Sequence, residues 1–326
     1  MGHRSTRHPD RMMNSPQIVL HDDHLMTTAD LLAAGYDDRA ITRLVRRRVL
    51  HRIRHGAYTY ADHWATLHEQ GRHELLCRAV LRNARTPTLL TGPSAARVLG
   101  GPVWDMGELV HVARLDQRAD RRTAGRVPHR GSLRVEDTTI RGGLPVTSGT
   151  RTALDVITQA DMEHALVIID GLLHAGETTA ELLERRAEGM NHDPHSLTVP
   201  LVLGRADARH ESAGETLTEF RLRAAGMAKP VPQVEILSRG HLVARVDLAW
   251  PELGVFLEFD GKEKYLRYRR PGESVVDAVV REKRREELVC GLTGWRCIRV
   301  TWADLFRPEL IVARIMAASR GENWVA

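Results

Sequence analysis

The chain has few cysteines, no long apolar run and few lysines among its basic residues. Its three cysteines, Cys77, Cys290 and Cys297, form no CxxC pair and are odd in number, which argues against structural zinc and suits a reducing compartment. No stretch approaches about 18 uninterrupted apolar residues, and no apolar signal segment follows the first charged residues. We therefore expect a cytoplasmic protein with no membrane segment.

Several catalytic signatures are also missing from the sequence. There is no P-loop, no GxGxxG motif and no internal repeat. The segments Gly92-Pro-Ser94 and Thr147-Ser-Gly149 have no partnered base, so the sequence gives no support to nucleophilic catalysis. The 17 histidines show no metal-ligand spacing, and we expect most of them at the surface.

What the chain does have is size, a mixed composition and an excess of arginine. It has 326 residues, 42% of them hydrophobic and 27% charged, which indicates a globular protein with two or three domains. Nearly all of its 47 basic residues are arginine, and the formal net charge is +5. Because the guanidinium group matches phosphate geometry, this favours an anionic partner, with nucleic acid as the first candidate.

The segment from Val246 to Lys262 places Asp247, Glu258 and Asp260 inside two otherwise apolar runs that resemble strands. Side chains two apart in a strand share a face, so Glu258 and Asp260 point one way while their apolar neighbours point the other. A turn at 251–254 joins the two runs as an antiparallel hairpin, which brings Asp247 close to Glu258.

This acidic pattern predicts a metal site. Two carboxylates in an apolar setting repel each other unless a cation or a shared proton intervenes. Mg²⁺ usually takes one or two carboxylates and completes its shell with water and phosphate oxygens. Lys262 is placed to hold a phosphate or a nucleophilic water.

The flanking segments predict an ordered set of elements around the hairpin. The predicted order is α-β-β-β-α-β-α, which is that of a restriction-endonuclease-like core. The expected elements outside the hairpin are a helix from Ser212 to about Gly226, a strand over 233–237, a helix over 276–292, a strand over 295–301 and a helix over 302–318.

Residues 212–305 resemble the Vsr-like branch of the PD-(D/E)xK nuclease superfamily. The resemblance implies cleavage of DNA with Mg²⁺ or Mn²⁺, with Asp247 and Glu258 as metal ligands and Glu215 as a supporting acid. The chain departs from the family where Asp260 stands in place of the usual lysine, so either Lys262 takes the lysine role or Asp260 is a further ligand. No counterpart of the histidine of the mismatch-repair members is evident.

Two alternatives to an active nuclease remain open at this point. The carboxylates of the predicted hairpin can pair with basic side chains instead of a metal. The basic residues available for this are Arg245, Lys262, Lys264 and Arg281. A degenerate nuclease fold that is retained for binding is the second alternative.

A basic segment near the start of the chain precedes the nuclease-like elements. Thr27 to Gly35 and Asp37 to Arg48 predict two short helices around a turn, with Ile41, Leu44 and Val45 as the buried stripe of the second helix. Residues 49–58 alternate like a small β-wing. A winged helix-turn-helix presents its second helix and its wing to DNA. The arginines predicted on it are Arg43, Arg46, Arg47, Arg48, Arg52 and Arg54.

This module resembles the winged-helix domain of AbiEi-type antitoxins, which precedes a Vsr-like domain in actinobacterial proteins. The resemblance rests on Leu31-Leu-Ala-Ala-Gly35, on the Ala40-Ile41 and Leu44-Val45 pairs, and on His55-Gly-Ala-Tyr58. It implies binding of double-stranded DNA and autorepression in a toxin–antitoxin setting, with a cognate toxin as partner. A solvated arginine face is the alternative, although such a face would carry interleaved acids.

The sequence as a whole predicts an α+β multi-domain protein with a winged helix-turn-helix, an α/β middle domain and a restriction-endonuclease-like αβββαβ core. We expect a flexible tail at 1–20, the winged helix at 21–60, the middle domain at 61–205 and the nuclease-like domain at 206–326. The main hypothesis is a metal-dependent endonuclease. The alternative is a DNA-binding regulator of antitoxin type without catalysis.

Overall fold

The computed structural model describes residues 24–116, 125–189, 196–261 and 274–322. The expected tail and Lys262 lie outside these ranges. Helices and three separate sheets alternate along the chain, which confirms the α+β class. Among the described residues, no helix is long and apolar enough to cross a membrane.

The first unit is a pair of short helices beside a three-stranded antiparallel sheet of order β1-β3-β2. Thr27 and Asp30 form a reciprocal capping box that starts the first helix, and Gly35, at φ 87°, allows the turn that ends it. Of the predicted apolar stripe of the second helix, Ile41 is buried, while Leu44 and Val45 are only partly buried against the same cluster. The elements are β1 (Met26–Thr27), α1 (Thr28–Ala33), α2 (Asp38–Arg46), β2 (Leu50–Arg54) and β3 (Ala57–Tyr60).

The middle unit packs its helices around a five-stranded mixed sheet of order β6-β5-β4-β8-β7. One apolar cluster joins the sheet to most of these helices. The short helix over 61–66 instead contacts the first sheet, where Trp64 packs against the cluster of Leu25 and Ala57. The elements are α3 (Ala61–Thr66), α4 (Glu69–Arg82), β4 (Thr88–Leu90), α5 (Gly92–Val98), β5 (Val110–Arg114), β6 (Arg126–His129), β7 (Thr138–Arg141), β8 (Leu144–Thr147), α6 (Gly149–Gln159), α7 (Met162–His174), α8 (Ala180–Glu188) and α9 (Val199–Leu203).

The third unit is a four-stranded mixed sheet of order β12-β11-β10-β9, in which only β11 and β12 run parallel. A parallel pair needs a crossover, and a long helix lies in that connection. The elements are α10 (Ala213–Ala224), β9 (Val231–Ser238), β10 (His241–Trp250), β11 (Val255–Phe259), α11 (Val275–Thr293), β12 (Arg296–Val300) and α12 (Pro308–Ser319).

Apolar side chains cover β11 on both faces. Val255, Leu257 and Phe259 belong to one apolar cluster with residues of α10 and α12. Phe256 belongs to a second cluster with Val289 of α11. The alternation along β11 is therefore the one that the sequence predicts, and Glu258 shares the face of Phe256.

Two predicted elements differ from the structure. The last helix begins at Pro308 instead of residue 302, because the Asp304 side chain accepts hydrogen bonds from Thr301 and stabilises a separate short turn before it. Strand β6, which pairs parallel to β5, lies in the arginine-rich stretch over 116–130, for which the sequence predicts a loop. Pro128 within β6 concealed the strand, since proline is rare inside sheets.

Candidate active site

The β10–β11 hairpin holds two of the predicted acids side by side. The strands pair Leu248 with Leu257 and Ala249 with Phe256, and Asp247 and Glu258 each lie one residue beyond the last recorded pair. Gly254 ends the turn between the strands in the left-handed region, with φ 62°. The hairpin is thus the one predicted from the sequence, and its open end carries both carboxylates.

A cleft of about 270 Å³ lies at this end of the sheet, between the hairpin and α11. Asp247, Glu258 and Asp260 line it together. Asp247 and Glu258 are buried at 8% and 3% exposure, whereas Asp260 is half-buried. The other lining residues are Glu211, Gln233, Arg245, Phe259, Ala278, Arg281, Glu282, Arg285 and Arg299.

Asp247 is oriented by the backbone of the neighbouring strand. The Phe259 N–H donates a hydrogen bond of 2.8 Å to Asp247 Oδ2. A carboxylate that accepts a backbone N–H is held in one direction and compensated for part of the water it loses. The sequence does not reveal this bond, because it joins strands through a backbone donor.

Glu215 lies behind the cleft, in the first turn of α10. Its Oε1 accepts from the Ser212 hydroxyl at 2.8 Å, and its Oε2 accepts from the Glu211 N–H at 2.9 Å and from Gln233 Nε2 at 2.8 Å. Burial and the charge of Asp247 nevertheless raise the pKa of Glu215. Glu215 therefore contacts a residue of the cleft wall and senses the charge of Asp247, but is not itself a lining residue.

Close packing brings α10 to this position. A Cβ added to Gly214 would stand 2.1 Å from the Phe259 ring, so only glycine lets the helix approach β11 so closely. Gln233, at φ 53°, holds a left-handed conformation that is costly for a residue with a side chain. Both features place groups next to Glu215, and neither follows from the pattern of acids along the sequence.

Arg285 of α11 pairs with the acid of β11. Its Nη2 donates to Glu258 Oε1 at 2.9 Å and to Glu282 Oε1 at 2.7 Å, and its Nη1 donates to the backbone oxygen of Arg245 at 3.1 Å. Burial disfavours the charged form of Arg285, but the bonds and charges of Glu282 and Glu258 outweigh it and raise the pKa. Arg285 stays cationic, and it provides a counter-charge for Glu258.

Asp260 has its own cationic neighbour. Arg299 of β12 lies 3.7 Å from Asp260 and pairs with Glu286 at 2.7 Å. The sequence assigned no role in the site to Arg285 or Arg299. The helical spacing of Ala278, Glu282 and Arg285, which share one face of α11, is the signal that would have found part of this wall.

The donor set suits a hard cation held by few protein ligands. The described residues include no group of three or more His, Cys, Asp or Glu side chains arranged to hold a metal. Mg²⁺ is often held by only one or two carboxylates with water and phosphate completing its shell, so Asp247 and Glu258 are compatible with it. The repulsion between Asp247 and Glu215 is a further feature that a cation would relieve.

The predicted basic surface lies on the first unit. Arg43, Arg46, Arg47 and Arg48 are exposed at the end of α2, and Arg52 is exposed on β2. These five side chains make no ion pair in the part of the chain that the structure describes. Arg54 differs, because it is half-buried and its pKa is lowered by burial and by the nearby charge of Arg126.

The middle unit contains a serine beside a histidine, contrary to the expectation that Ser94 has no base. His73 Nε2 lies 3.3 Å from Ser94 Oγ, and the same oxygen accepts the His111 N–H at 2.9 Å. His73 and Ser94 are both buried, and burial lowers the pKa of His73 to about 4. Since Ser94 has no exposed surface, the pair links core elements and offers no nucleophile to a substrate.

Comparison with known proteins gives few relatives. No protein-family model matches the chain. Two curated proteins of Mycobacterium tuberculosis, Uncharacterized protein MT2308 (strain CDC 1551 / Oshkosh) and Uncharacterized protein Rv2248 (strain ATCC 25618 / H37Rv), are each 27% identical over 176 residues. The match covers 53% of this chain and 61% of each relative, so the chain spans less than two thirds of their length.

One solved structure is similar in part. The crystal structure of RV2827C protein from Mycobacterium tuberculosis aligns with a TM-score of 0.38 and 19% identity, over 55% of this chain and 71% of that chain. A TM-score this low does not establish a common fold.

Proposed function

We propose that this protein is a DNA-associated, metal-dependent endonuclease of the Vsr-like PD-(D/E)xK type. The observation that carries the proposal is the cleft in which Asp247, Glu258 and Asp260 meet, with Glu215 behind it. The order of elements from α10 to β12 is the αβββαβ order expected of a restriction-endonuclease-like core, which supports the same assignment.

The proposed roles follow from the contacts of each acid. Asp247 and Glu258 would hold Mg²⁺ or Mn²⁺, which when bound supplies Lewis-acid stabilisation of phosphate charge. Asp247 is kept in place by the Phe259 N–H. Glu215 and Asp260 would orient water around the site. Lys262 remains the candidate for the usual lysine, and it lies outside the described residues.

The substrate is expected to be double-stranded DNA held at two places. The exposed arginines from Arg43 to Arg52 would contact the phosphate backbone, which positions a duplex without reading its sequence. The four arginines of the cleft wall would lie close to the strand that is cut. Membrane association is not part of the proposal.

The proposal is tested by nicking of supercoiled plasmid by the purified protein with Mg²⁺, Mn²⁺ or EDTA. Glu258→Gln removes a proposed ligand with little change of volume. Glu252→Gln is the matched control, because Glu252 is an exposed acid in the turn of the same hairpin. We expect metal-dependent nicking by the wild type and by Glu252→Gln and none by Glu258→Gln. Equal nicking by both variants would contradict the assignment.

A non-catalytic regulator of antitoxin type is the second candidate. It is favoured by the contact between Arg285 and Glu258, because an arginine already compensates the acid that a nuclease would reserve for metal. Such a protein would use a winged helix-turn-helix in the first unit to bind an operator and would bind a cognate toxin. It predicts specific retardation of the promoter DNA of its own gene and no nicking with any metal.

A further inference from the structure

A second group of buried polar side chains lies where the middle unit meets the third. We call it the Asp170 cluster, which consists of Asp170 of α7, His210, and Thr216 and Glu219 of α10. A separate cleft of about 260 Å³ opens next to it. Asp170, His210 and Glu219 are each at most 3% exposed, so His210 is not among the histidines expected at the surface.

The carboxylate of Asp170 ties down the chain on both sides of the start of α10. Its Oδ1 accepts from the Asp207 N–H at 2.8 Å. Its Oδ2 accepts from His210 Nδ1 at 2.8 Å and from the Thr216 hydroxyl at 2.9 Å. One side chain of α7 thus fixes a segment that runs from Asp207 into the second turn of α10.

The charge of His210 strengthens this arrangement. Its Nε2 lies 3.2 Å from Glu219 Oε2, so the ring stands between two carboxylates. Burial alone would disfavour the cation, but the contacts with Asp170 and Glu219 raise the pKa of His210 to about 10. A charged histidine between two acids is strongly held in a buried setting.

The segment fixed in this way carries Glu215. Glu215 precedes Thr216 in the chain, and its own partners, Ser212, Glu211 and Gln233, lie toward the acid cleft. The first turns of α10 are therefore held by Asp170 and connected to the cleft wall through Glu215. A shift of this segment relative to α7 would move Glu215 relative to Asp247.

We propose that Asp170, acting through His210 and Thr216, is a positioning residue for Glu215, and that the middle unit is a necessary part of the nuclease site. This inference rests on the proposed nuclease function. It assigns the middle unit a role beyond that of a connector, because the group that fixes the site belongs to α7 and not to the unit that holds the acids.

A second contact between the same two helices provides the control. Arg221 of α10 donates to both oxygens of Glu163 of α7, at 3.0 and 2.6 Å. This pair lies more than a turn beyond Thr216, away from Glu215. If general attachment of α10 to α7 is what matters, loss of either contact has the same result. If position of the first turns matters, only loss of the Asp170 contacts affects the site.

The experiment compares Thr216→Val, Thr216→Ser, Asp170→Asn and Glu163→Gln in the full chain. Thr216→Val removes one hydroxyl at nearly constant volume, so it is expected to fold where Asp170→Asn does not. Hydrogen exchange of residues 211–218 reports their attachment without relying on catalysis. Plasmid nicking at several DNA concentrations then separates turnover from KM.

We expect about tenfold faster exchange at 211–218 in Thr216→Val, since a hydrogen bond to a charged acceptor is lost. Turnover falls by about tenfold with KM for DNA unchanged, and Thr216→Ser behaves like the wild type in both. Glu163→Gln changes neither. Unchanged exchange in Thr216→Val, or an equal loss of turnover in Glu163→Gln, would overturn the inference.

Different results contradict the nuclease function and the positioning role of Asp170. A wild-type protein that cuts no DNA with any metal contradicts the nuclease function, and the positioning role falls with it. A wild-type protein that cuts DNA while Thr216→Val keeps full turnover contradicts the positioning role alone.

Discussion

Arginine is used in opposite ways in the first and third units. On α2 and β2, five exposed arginines make no ion pair in the described part of the chain. At the acid cleft, Arg285 and Arg299 are partly buried and each pairs with glutamate. The first arrangement leaves charge available to a partner, and the second balances buried acids. The exposed arginines of the first unit are therefore the stronger support for the proposed nucleic-acid binding.

The largest effect is expected at Asp247, whose carboxylate faces the cleft. Asp247→Asn keeps the shape of the side chain and removes the charge that a metal needs. We expect the nicking rate to fall by at least about a thousandfold, since metal stabilisation of phosphate charge contributes several kcal/mol. DNA affinity measured by fluorescence anisotropy should change by less than about twofold. Cleavage at the wild-type rate would exclude Asp247 from the site.

A pH-dependent stability is expected from the buried charge of His210, in contrast to the exposed arginines. Because its pKa is raised from 6.5 to about 10 in the fold, its contribution is complete below about pH 6.5 and is lost as the pH rises toward about 10. Urea unfolding should show a loss of roughly 5 kcal/mol over this interval, since each unit of pKa corresponds to about 1.4 kcal/mol. The difference in stability between wild type and His210→Gln should shrink in parallel. A constant difference would show that His210 is not held as a cation.

Removing a paired arginine should cost stability. Arg285→Ala removes one counter-charge from the buried Glu258, and we expect a loss of about 2 kcal/mol in the free energy of unfolding. Adding Glu258→Gln to that variant should recover part of the loss. Arg284→Ala, at an exposed neighbouring position of α11, should stay within about 0.5 kcal/mol of the wild type. Equal losses in both arginine variants would argue against the pair.

Removing exposed arginines of the first unit should weaken DNA binding and leave stability nearly unchanged. Arg46→Ala combined with Arg47→Ala is expected to change stability by less than about 0.5 kcal/mol. It should weaken DNA binding and reduce the slope of log affinity against log salt by about 2, because each lost phosphate contact removes about 0.9. Arg185→Ala with Arg284→Ala removes the same net charge elsewhere and should leave the slope unchanged. An unaltered slope in the α2 variant would exclude this surface.

The sequence predicted local structure well and distant contacts poorly. The hairpin from β10 to β11 and the capped start of α10 follow from alternation, turn residues and capping, all of which are short-range signals. The meeting of Asp247 with Glu258 followed from the hairpin. The contact of Arg285 with Glu258 did not, because it depends on how α11 crosses the sheet. Glu215 and Asp170 are connected through packing between units, which no local pattern encodes.

The parallel pairing of β11 and β12 has a consequence for the order in which the protein is assembled. Arg285 and Arg299 reach the acids of β11 only after the crossover through α11 has closed, and such non-local contacts form late in folding. During synthesis, a chain that has emerged only as far as residue 261 carries the acids without these arginines. We therefore expect the cleft to be among the last parts of the molecule to mature.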